Sequence, residues 1–140
     1  RSKTYMYRIH TSRVPNVFER RYLYTYTDKA LDISKMKEAA RLLCGTHDYK
    51  AFCGNPKMKK STVRTITDIK IEASGPEIDI SYTGDGFLQN MVRILTGTLI
   101  EVGNGSLQAS AMIRILDSKD RQMAGFTAPP QGLTLMRVEY

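Results

Sequence analysis

Residues 84–99 read GDGFLQNMVRILTGTL. Glycine and aspartate at the start are typical of a turn, and the spacing of the apolar residues that follow predicts a helix ending at Gly103. At about 100° per residue, one arc of this helix is apolar and is expected to face the core. That arc consists of Phe87, Leu88, Met91, Val92, Leu95, Leu99 and Val102. The opposite flank carries Arg93, Gln89, Asn90 and Gly97. Because the apolar Ile100 lies on the same flank, we expect this flank to be closed to bulk water.

Arg93 has two interpretations at this point. A charged side chain in a partly apolar setting needs an anion or carbonyl oxygens as partners. The simpler interpretation is a structural salt bridge, or a surface arginine whose aliphatic stem lies along apolar neighbours. The alternative is an arginine that binds an anion or a carboxylate in a functional site. The helix alone does not decide between them.

The rest of the chain alternates between strand and helix patterns. Period-two alternation predicts strands at 3–10, 21–26, 63–73, 77–83 and 133–140. Helical periodicity predicts two further helices, at 33–44 with Asp32 as N-cap and at 107–116 with Ser106 as N-cap. Single turns are predicted within 46–52 and 117–124, with loops at 11–19, 54–61 and 128–132. This order predicts an α+β fold, with a mainly antiparallel sheet and the helices packed on one face, in a single domain over 1–140.

The net charge of +7 is unevenly distributed. Residues 1–21 carry six basic side chains against one acidic one, and residues 49–67 carry five basic side chains and no acidic one. Such blocks fit a polyanionic partner such as nucleic acid, or a solubilising surface. No apolar run is long enough to span a membrane. Cys44 and Cys53 are expected to be free thiols in a reducing cytoplasm.

Self-contained catalysis is not apparent from the motifs. The chain has no phosphate-binding glycine loop, no nucleophile elbow and no His-Glu-x-x-His. His10 and His47 have no partner spacing, and with the two cysteines they form no metal-ligand pattern, so no metal is expected. Asp68, Asp79 and Asp85 are expected to have structural roles. The residues alone therefore indicate a basic α+β domain with one conspicuous helical arginine.

Several short motifs occur together in a fixed order along nearly the whole chain. They are Lys3-Thr4-Tyr5-Met6-Tyr7, GTHDYKAF at 45–52, Phe87-x-x-x-Met91-Val92-Arg93, Gly97-Thr98-Leu99, Val102-Gly103-x-Gly105, Lys119-Asp120-Arg121 and Ala128-Pro129-x-x-Gly132-Leu133. Each is weak alone, but the ordered set is specific. It resembles the C-terminal catalytic half of the bacterial tRNA pseudouridine synthase A family.

The resemblance implies an enzyme that isomerises uridine to pseudouridine in the anticodon stem-loop of tRNA, without a metal or organic cofactor. In that family the uridine is flipped into a cleft, and an aspartate in an Arg-Thr-Asp motif attacks it covalently. By motif position, Tyr5 resembles the tyrosine that stacks on the target base, Arg93 the arginine that pairs with the catalytic carboxylate, and Leu133 the apolar wall of the uracil pocket. Asn90 would line the same cleft. The family also implies a homodimer.

The chain departs from the family pattern because it contains no Arg-Thr-Asp. Arg64-Thr65 is followed by Ile66, and in the family the motif lies upstream of the strand with which this chain begins. We therefore expect a C-terminal fragment that is inactive alone, with the nucleophilic aspartate in a missing N-terminal half. Lys59, Lys60 and Arg64 are candidate tRNA contacts. The alternatives are a non-catalytic RNA-binding module, which would use the Tyr5 and Tyr7 face with the basic loop, and a dimerisation module.

Overall fold

The computed structural model describes residues 1–14 and 22–140. Its strands are β1 (Ser2–His10), β2 (Tyr24–Thr25), β3 (Gly45–Asp48), β4 (Val63–Ser74), β5 (Glu77–Gly84) and β6 (Leu133–Glu139). Its helices are α1 (Ile33–Leu43), α2 (Met91–Gly103) and α3 (Ala111–Ser118). Single turns of 3-10 helix cover Lys50–Phe52, Arg121–Met123 and Pro130–Gly132. The predicted α+β class is confirmed.

The sheet has the strand order β2-β1-β5-β4-β3, and β6 also pairs with β1. Strand β1 pairs along its length with β5 on one side. On its other side, β6 pairs with the first part of β1 and β2 with the last two residues. The β1–β2 pair is parallel and the other pairs are antiparallel, so the sheet is mainly antiparallel, as the order of the elements predicted.

One face of the sheet is apolar across three strands. Cross-strand pairing places Tyr7, Ile80 and Ile71 in one row, and all three are buried. The opposite face carries Arg8 and Asp79, which are paired in register and partly exposed. Helix α1 packs on β4, α2 contacts β1, and α1 contacts both other helices. The helices therefore form a layer over the apolar face, where burial of hydrocarbon is most favourable.

Helix α1 begins as its sequence predicts. The side chain of Asp32 accepts a hydrogen bond from the Lys35 backbone N–H, which satisfies one of the free donors of the first turn. The helix ends at Leu43, and Gly45 follows at a φ of 112°. The face toward the core carries Met36, Ala39, Ala40 and Leu43.

Two predicted helix starts were wrong, and one strand was not predicted. Helix α2 begins at Met91 rather than in the 87–90 turn, because Asn90 has a left-handed backbone with φ 59°. Helix α3 begins at Ala111 rather than at 107. The single turn predicted within 46–52 is present as the 3-10 helix Lys50–Phe52, but strand β3 before it, which pairs with β4 at the edge of the sheet, was not predicted. A local pattern did not reveal that pairing, because the partner strand lies farther along the chain.

The predicted strand at 21–26 is shorter in the structure, where, of the described residues 22–26, only Tyr24–Thr25 pair with β1. Residues 15–21, which hold most of the predicted loop at 11–19, lie outside the described residues.

His10 is buried at the edge of the core. Its Nε2 lies 2.6 Å from the Val14 carbonyl oxygen, and its Nδ1 lies 3.0 Å from a Glu77 carboxylate oxygen. These hydrogen bonds raise the pKa of His10, although burial acts in the opposite direction. Over 1–14 and 22–140, no helix has the length and apolar character that crossing a membrane requires.

Candidate active site

A cavity of about 130 Å³ lies where the 84–90 turn, β1 and the start of β6 meet. Its walls are formed by Tyr5, Phe87, Leu88, Asn90, Met91, Val92, Arg93 and Leu133. The sheet register explains the convergence: β1 pairs with β5 on one side and β6 on the other, so the ends of both neighbours lie close to Tyr5. Four of the residues singled out in the sequence, Tyr5, Asn90, Arg93 and Leu133, are thus brought together.

Arg93 is half-buried at the cavity wall, and its guanidinium is held at two points. Nε donates to the Ala128 carbonyl at 2.7 Å, and Nη1 donates to Oδ1 of Asn90 at 3.2 Å. A guanidinium has five N–H groups, so three are left without an acceptor among the described residues. Within 1–14 and 22–140, Arg93 forms no ion pair with a carboxylate. The simpler interpretation, an arginine in a salt bridge within this part of the chain, is not supported.

The aromatic wall of the cavity consists of Tyr5 and Phe87. Their rings meet edge to face with centroids 5.3 Å apart, a geometry that favours a fixed orientation of both rings. In the described part of the chain, the Tyr5 hydroxyl has no hydrogen-bond partner. Leu133 supplies an apolar wall of the same cavity. An aromatic ring, an aliphatic side chain and a cation therefore face one small space.

Tyr7, two residues after Tyr5 on β1, anchors the loop that precedes β6. Its hydroxyl donates to the Pro129 carbonyl at 2.5 Å, and its ring lies against Gly132. Burial raises the pKa of Tyr7 well above its ordinary value, with Tyr24 adding to the effect and Arg93 opposing it. The phenol is therefore neutral, and its role here is to hold Pro129–Leu133 in place.

Asn90 connects the cavity to the start of the basic loop. Its left-handed backbone is uncommon for a residue with a side chain, although Asn tolerates it better than most. The Gly54 N–H donates to the Gln89 carbonyl at 2.8 Å, and a Cβ on Gly54 would lie 2.9 Å from Nδ2 of Asn90. Gly54 therefore allows the loop to pack directly against the residue that holds Arg93.

The segment 125–128 runs along α2 and was not identified as functional from the sequence. The Gly125 N–H donates to the Thr98 hydroxyl and the Phe126 N–H to a carboxylate oxygen of Glu101, both at 2.9 Å. Ala128 is fully buried, and its N–H donates to the Arg93 carbonyl at 3.0 Å. The sequence could have indicated the packing of this segment on α2 through Gly97. A glycine inside a helix often marks a place where another backbone approaches closely.

The three basic candidates differ in position. Lys59 and Lys60 are exposed on the loop between Gly54 and Ser61, and the structure does not place them at the cavity. Arg64 is half-buried, and its Nη1 donates to the carbonyls of Ser61 and Val63 at 2.8 and 2.7 Å. Its Nε lies next to Gly86. The basic loop therefore borders the turn that leads into the cavity.

Two of the acidic side chains considered in the sequence, Asp85 and Asp79, have partners other than Arg93. Oδ1 of Asp85 accepts from the Thr65 backbone N–H at 2.9 Å, which joins the turn to β4. Asp79 lies 4.0 Å from Arg8 on the far side of the sheet. In the described ranges, no group of three His, Cys, Asp or Glu side chains is arranged to hold a metal ion.

Fold and cavity define an α+β chain whose pocket presents an arginine, a tyrosine and an aliphatic wall. The family model for tRNA pseudouridine synthase matches residues 39–140. The chain is 46% identical to tRNA pseudouridine synthase A 2 of Clostridium perfringens, over 99% of its own length and 56% of the relative. It is 41% identical to tRNA pseudouridine synthase A of Geobacillus kaustophilus, over 100% of its own length and 54% of the relative.

The chain therefore belongs to the tRNA pseudouridine synthase family. It spans about half the length of the curated relatives that it matches. The resemblance found in the sequence motifs is confirmed, and the matches to the two relatives cover nearly the whole chain. The match favours membership of this family over a stand-alone RNA-binding or dimerisation module.

Proposed function

We propose that this chain is the C-terminal domain of a tRNA pseudouridine synthase and forms one side of its uridine pocket. The whole enzyme would isomerise uridine to pseudouridine in the anticodon stem-loop of tRNA. One observation carries the proposal: Tyr5, Leu133 and Arg93 line a single cavity, and Arg93 has no carboxylate partner among the described residues. An aromatic ring, an aliphatic side chain and a guanidinium thus line this cavity, and the guanidinium has N–H groups that can bind an anion.

Arg93 is proposed to pair with the nucleophilic aspartate of the N-terminal half. Ala128 and Asn90 occupy Nε and one N–H of Nη1, so the remaining N–H groups lie on Nη1 and Nη2. A carboxylate can accept two parallel hydrogen bonds from that end of a guanidinium. The pairing would lower the pKa of the aspartate and keep it ionised for attack.

Tyr5 and Leu133 are proposed to hold the flipped uracil between them. A base leaves the helical stack only if the pocket replaces the lost stacking, which an aromatic ring and an aliphatic wall can do. Phe87 supports this role because its edge-to-face contact holds the Tyr5 ring in position. The Tyr5 hydroxyl, which has no hydrogen-bond partner among residues 1–14 and 22–140, is available to assist proton transfer. Asn90 supports the pocket through Arg93. A carboxylate nucleophile and a proton relay need no metal or organic cofactor.

Lys59, Lys60 and Arg64 are proposed to contact tRNA phosphates. They lie on the loop and strand that border the 84–90 turn, so an RNA whose base enters the cavity would pass close to them. Each lysine or arginine that neutralises a phosphate releases counterions, which makes binding weaker as salt increases.

Replacing Lys59 and Arg64 together by alanine in the full-length protein should weaken tRNA binding and flatten its salt dependence. We expect the slope of log K against log salt concentration to become smaller by about one per lost phosphate contact. Filter binding of tRNA across a salt series measures both quantities. Lys37→Ala, an exposed lysine on α1, is the matched control. An unchanged slope for the double variant would place the loop away from the RNA.

The function is tested with the full-length protein and the 140-residue chain in parallel. We expect the full-length protein to convert uridine in an anticodon stem-loop transcript and the 140-residue chain to show no turnover. Pseudouridine is measured by mass spectrometry of nuclease digests after labelling, and circular dichroism checks that the short chain is folded. Turnover by the short chain would refute the assignment of the nucleophile to the other half. A full-length protein without turnover would refute the synthase itself.

We also propose a cytoplasmic homodimer for the full-length protein. Two free cysteines in the described residues, one of them buried, suit a reducing compartment. The homodimer rests on the family resemblance. The mass of the full-length protein by light scattering at micromolar concentration tests it, and a monomer at that concentration would reject it.

A further inference from the structure

Arg121 belongs to a motif shared with the family, yet it does not line the cavity. It is half-buried in the 3-10 turn Arg121–Met123, after α3. Its guanidinium makes two contacts with the segment 125–128. Nη1 donates to the Gly125 carbonyl at 2.8 Å, and Nη2 donates to the Thr127 hydroxyl at 3.0 Å. Because a guanidinium is planar and rigid, hydrogen bonds from one guanidinium to two acceptors fix the positions of both acceptors.

The same segment is held to α2 on its other side. The Thr98 hydroxyl and the Glu101 carboxylate accept from its first two N–H groups, and the Arg93 carbonyl accepts from Ala128. The Gly97 position leaves no space between helix and segment, because a Cβ there would lie 1.7 Å from the Phe126 carbonyl oxygen. The segment is therefore fixed between α2 and Arg121.

The Ala128 carbonyl receives Nε of Arg93 at 2.7 Å, the shorter of the two hydrogen bonds that orient this guanidinium. Because Ala128 follows directly after the residue that Arg121 holds, a shift of the segment would move this acceptor. The contacts thus run from Arg121 to Gly125 and Thr127, and from Ala128 to Arg93.

We propose that Arg121 is a positioning residue for Arg93, acting through the segment 125–128. The proposal rests on the proposed function in one respect, namely that the orientation of Arg93 matters for turnover. A supporting shell around a catalytic group typically contributes about 10- to 100-fold in activity, and a small misplacement of a reacting group costs a similar factor. Substrate binding by the exposed basic loop should be unaffected, because the hydrogen bonds of the Arg121 guanidinium go to Gly125 and Thr127 and not to residues 54–61.

The test uses the full-length protein with Arg121→Gln, Thr127→Val and the control Arg114→Gln. Thr127→Val keeps the shape of the side chain but removes one acceptor of Arg121, and it keeps the test valid if Arg121→Gln unfolds. Arg114 is an exposed arginine on α3. Single-turnover conversion should fall about 30-fold in Arg121→Gln and about 3-fold in Thr127→Val, while the Kd for tRNA changes less than about two-fold. Arg114→Gln should match the wild type.

The second readout does not depend on activity. In protein labelled with ¹⁵N at arginine Nε, the signal of Arg93 is assigned by its loss in Arg93→Lys, and its N–H exchange with solvent is measured. Exchange should accelerate about ten-fold or more in Arg121→Gln and remain unchanged in Arg114→Gln, because the bond to Ala128 opens more often. Unchanged Arg93 exchange overturns the proposal, and so does faster exchange without any loss of turnover. If Arg121→Gln accelerates Arg93 exchange but the wild type does not turn over, the proposed function fails and the contact pathway stands.

Discussion

Arg93→Lys in the full-length protein should lower the single-turnover rate about 10³-fold, a loss comparable to that of an essential electrostatic group. Lysine keeps the charge but loses the planar fork. It cannot bond to Ala128 and Asn90 and at the same time present two parallel N–H groups to a carboxylate. The aspartate of the other half would be less well oriented and less fully ionised. Single-turnover conversion of tRNA measures the effect.

The Kd for tRNA and a second arginine variant serve as controls for Arg93→Lys. The Kd for tRNA should change less than about three-fold, because the phosphate contacts are assigned to the basic loop. Arg41→Lys, an exposed arginine in the last turn of α1, should convert tRNA at the wild-type rate. A loss smaller than ten-fold in Arg93→Lys would show that charge alone suffices, and the fork geometry would then have no catalytic role.

Gly97→Ala should lower the free energy of unfolding by about 3 kcal/mol, the upper range for overpacking a core. A Cβ at this position would lie 1.7 Å from the Phe126 carbonyl oxygen and 2.7 Å from its carbon. These are backbone atoms, so the segment 125–128 must move as a whole. Its bonds to Thr98, Glu101 and Arg93 would then be strained or lost. Chemical denaturation of wild type and variant measures the difference.

The sign of this effect is informative in itself. In a helix interior without neighbours, replacing glycine by alanine stabilises by about 1 kcal/mol. A more stable Gly97→Ala variant would therefore contradict the close packing of the segment on α2. Gly86→Ala is the matched control, since a Cβ there would meet its nearest atom, Nε of Arg64, at 3.6 Å. We expect this control to change stability by less than about 0.5 kcal/mol.

Much of the fold could be predicted from local patterns. Alternation identified the long strands β1, β4, β5 and β6. In β5 every second residue is buried because one face lies on the core, whereas β6 has no buried residue and was identified from its alternating sequence alone. The N-cap at Asp32 was correct because capping involves atoms only three residues apart. Strand β3 was missed because its strand character depends on pairing with β4, about twenty residues away. The late start of α2 was missed because the backbone of Asn90 is set by the packing of Gly54 and Arg93 around it.

By itself, the sequence determined the α+β class, the family and the residues to consider for the pocket. These follow from periodicity and from motifs, which are properties of neighbouring residues and of their order. Only the tertiary structure decided that Tyr5, Arg93 and Leu133 share one cavity. It also decided that the guanidinium is held by a carbonyl 35 residues away while no described carboxylate reaches it. Hydrogen bonds and packing between distant segments depend on coordinates, and no local pattern of side chains encodes them.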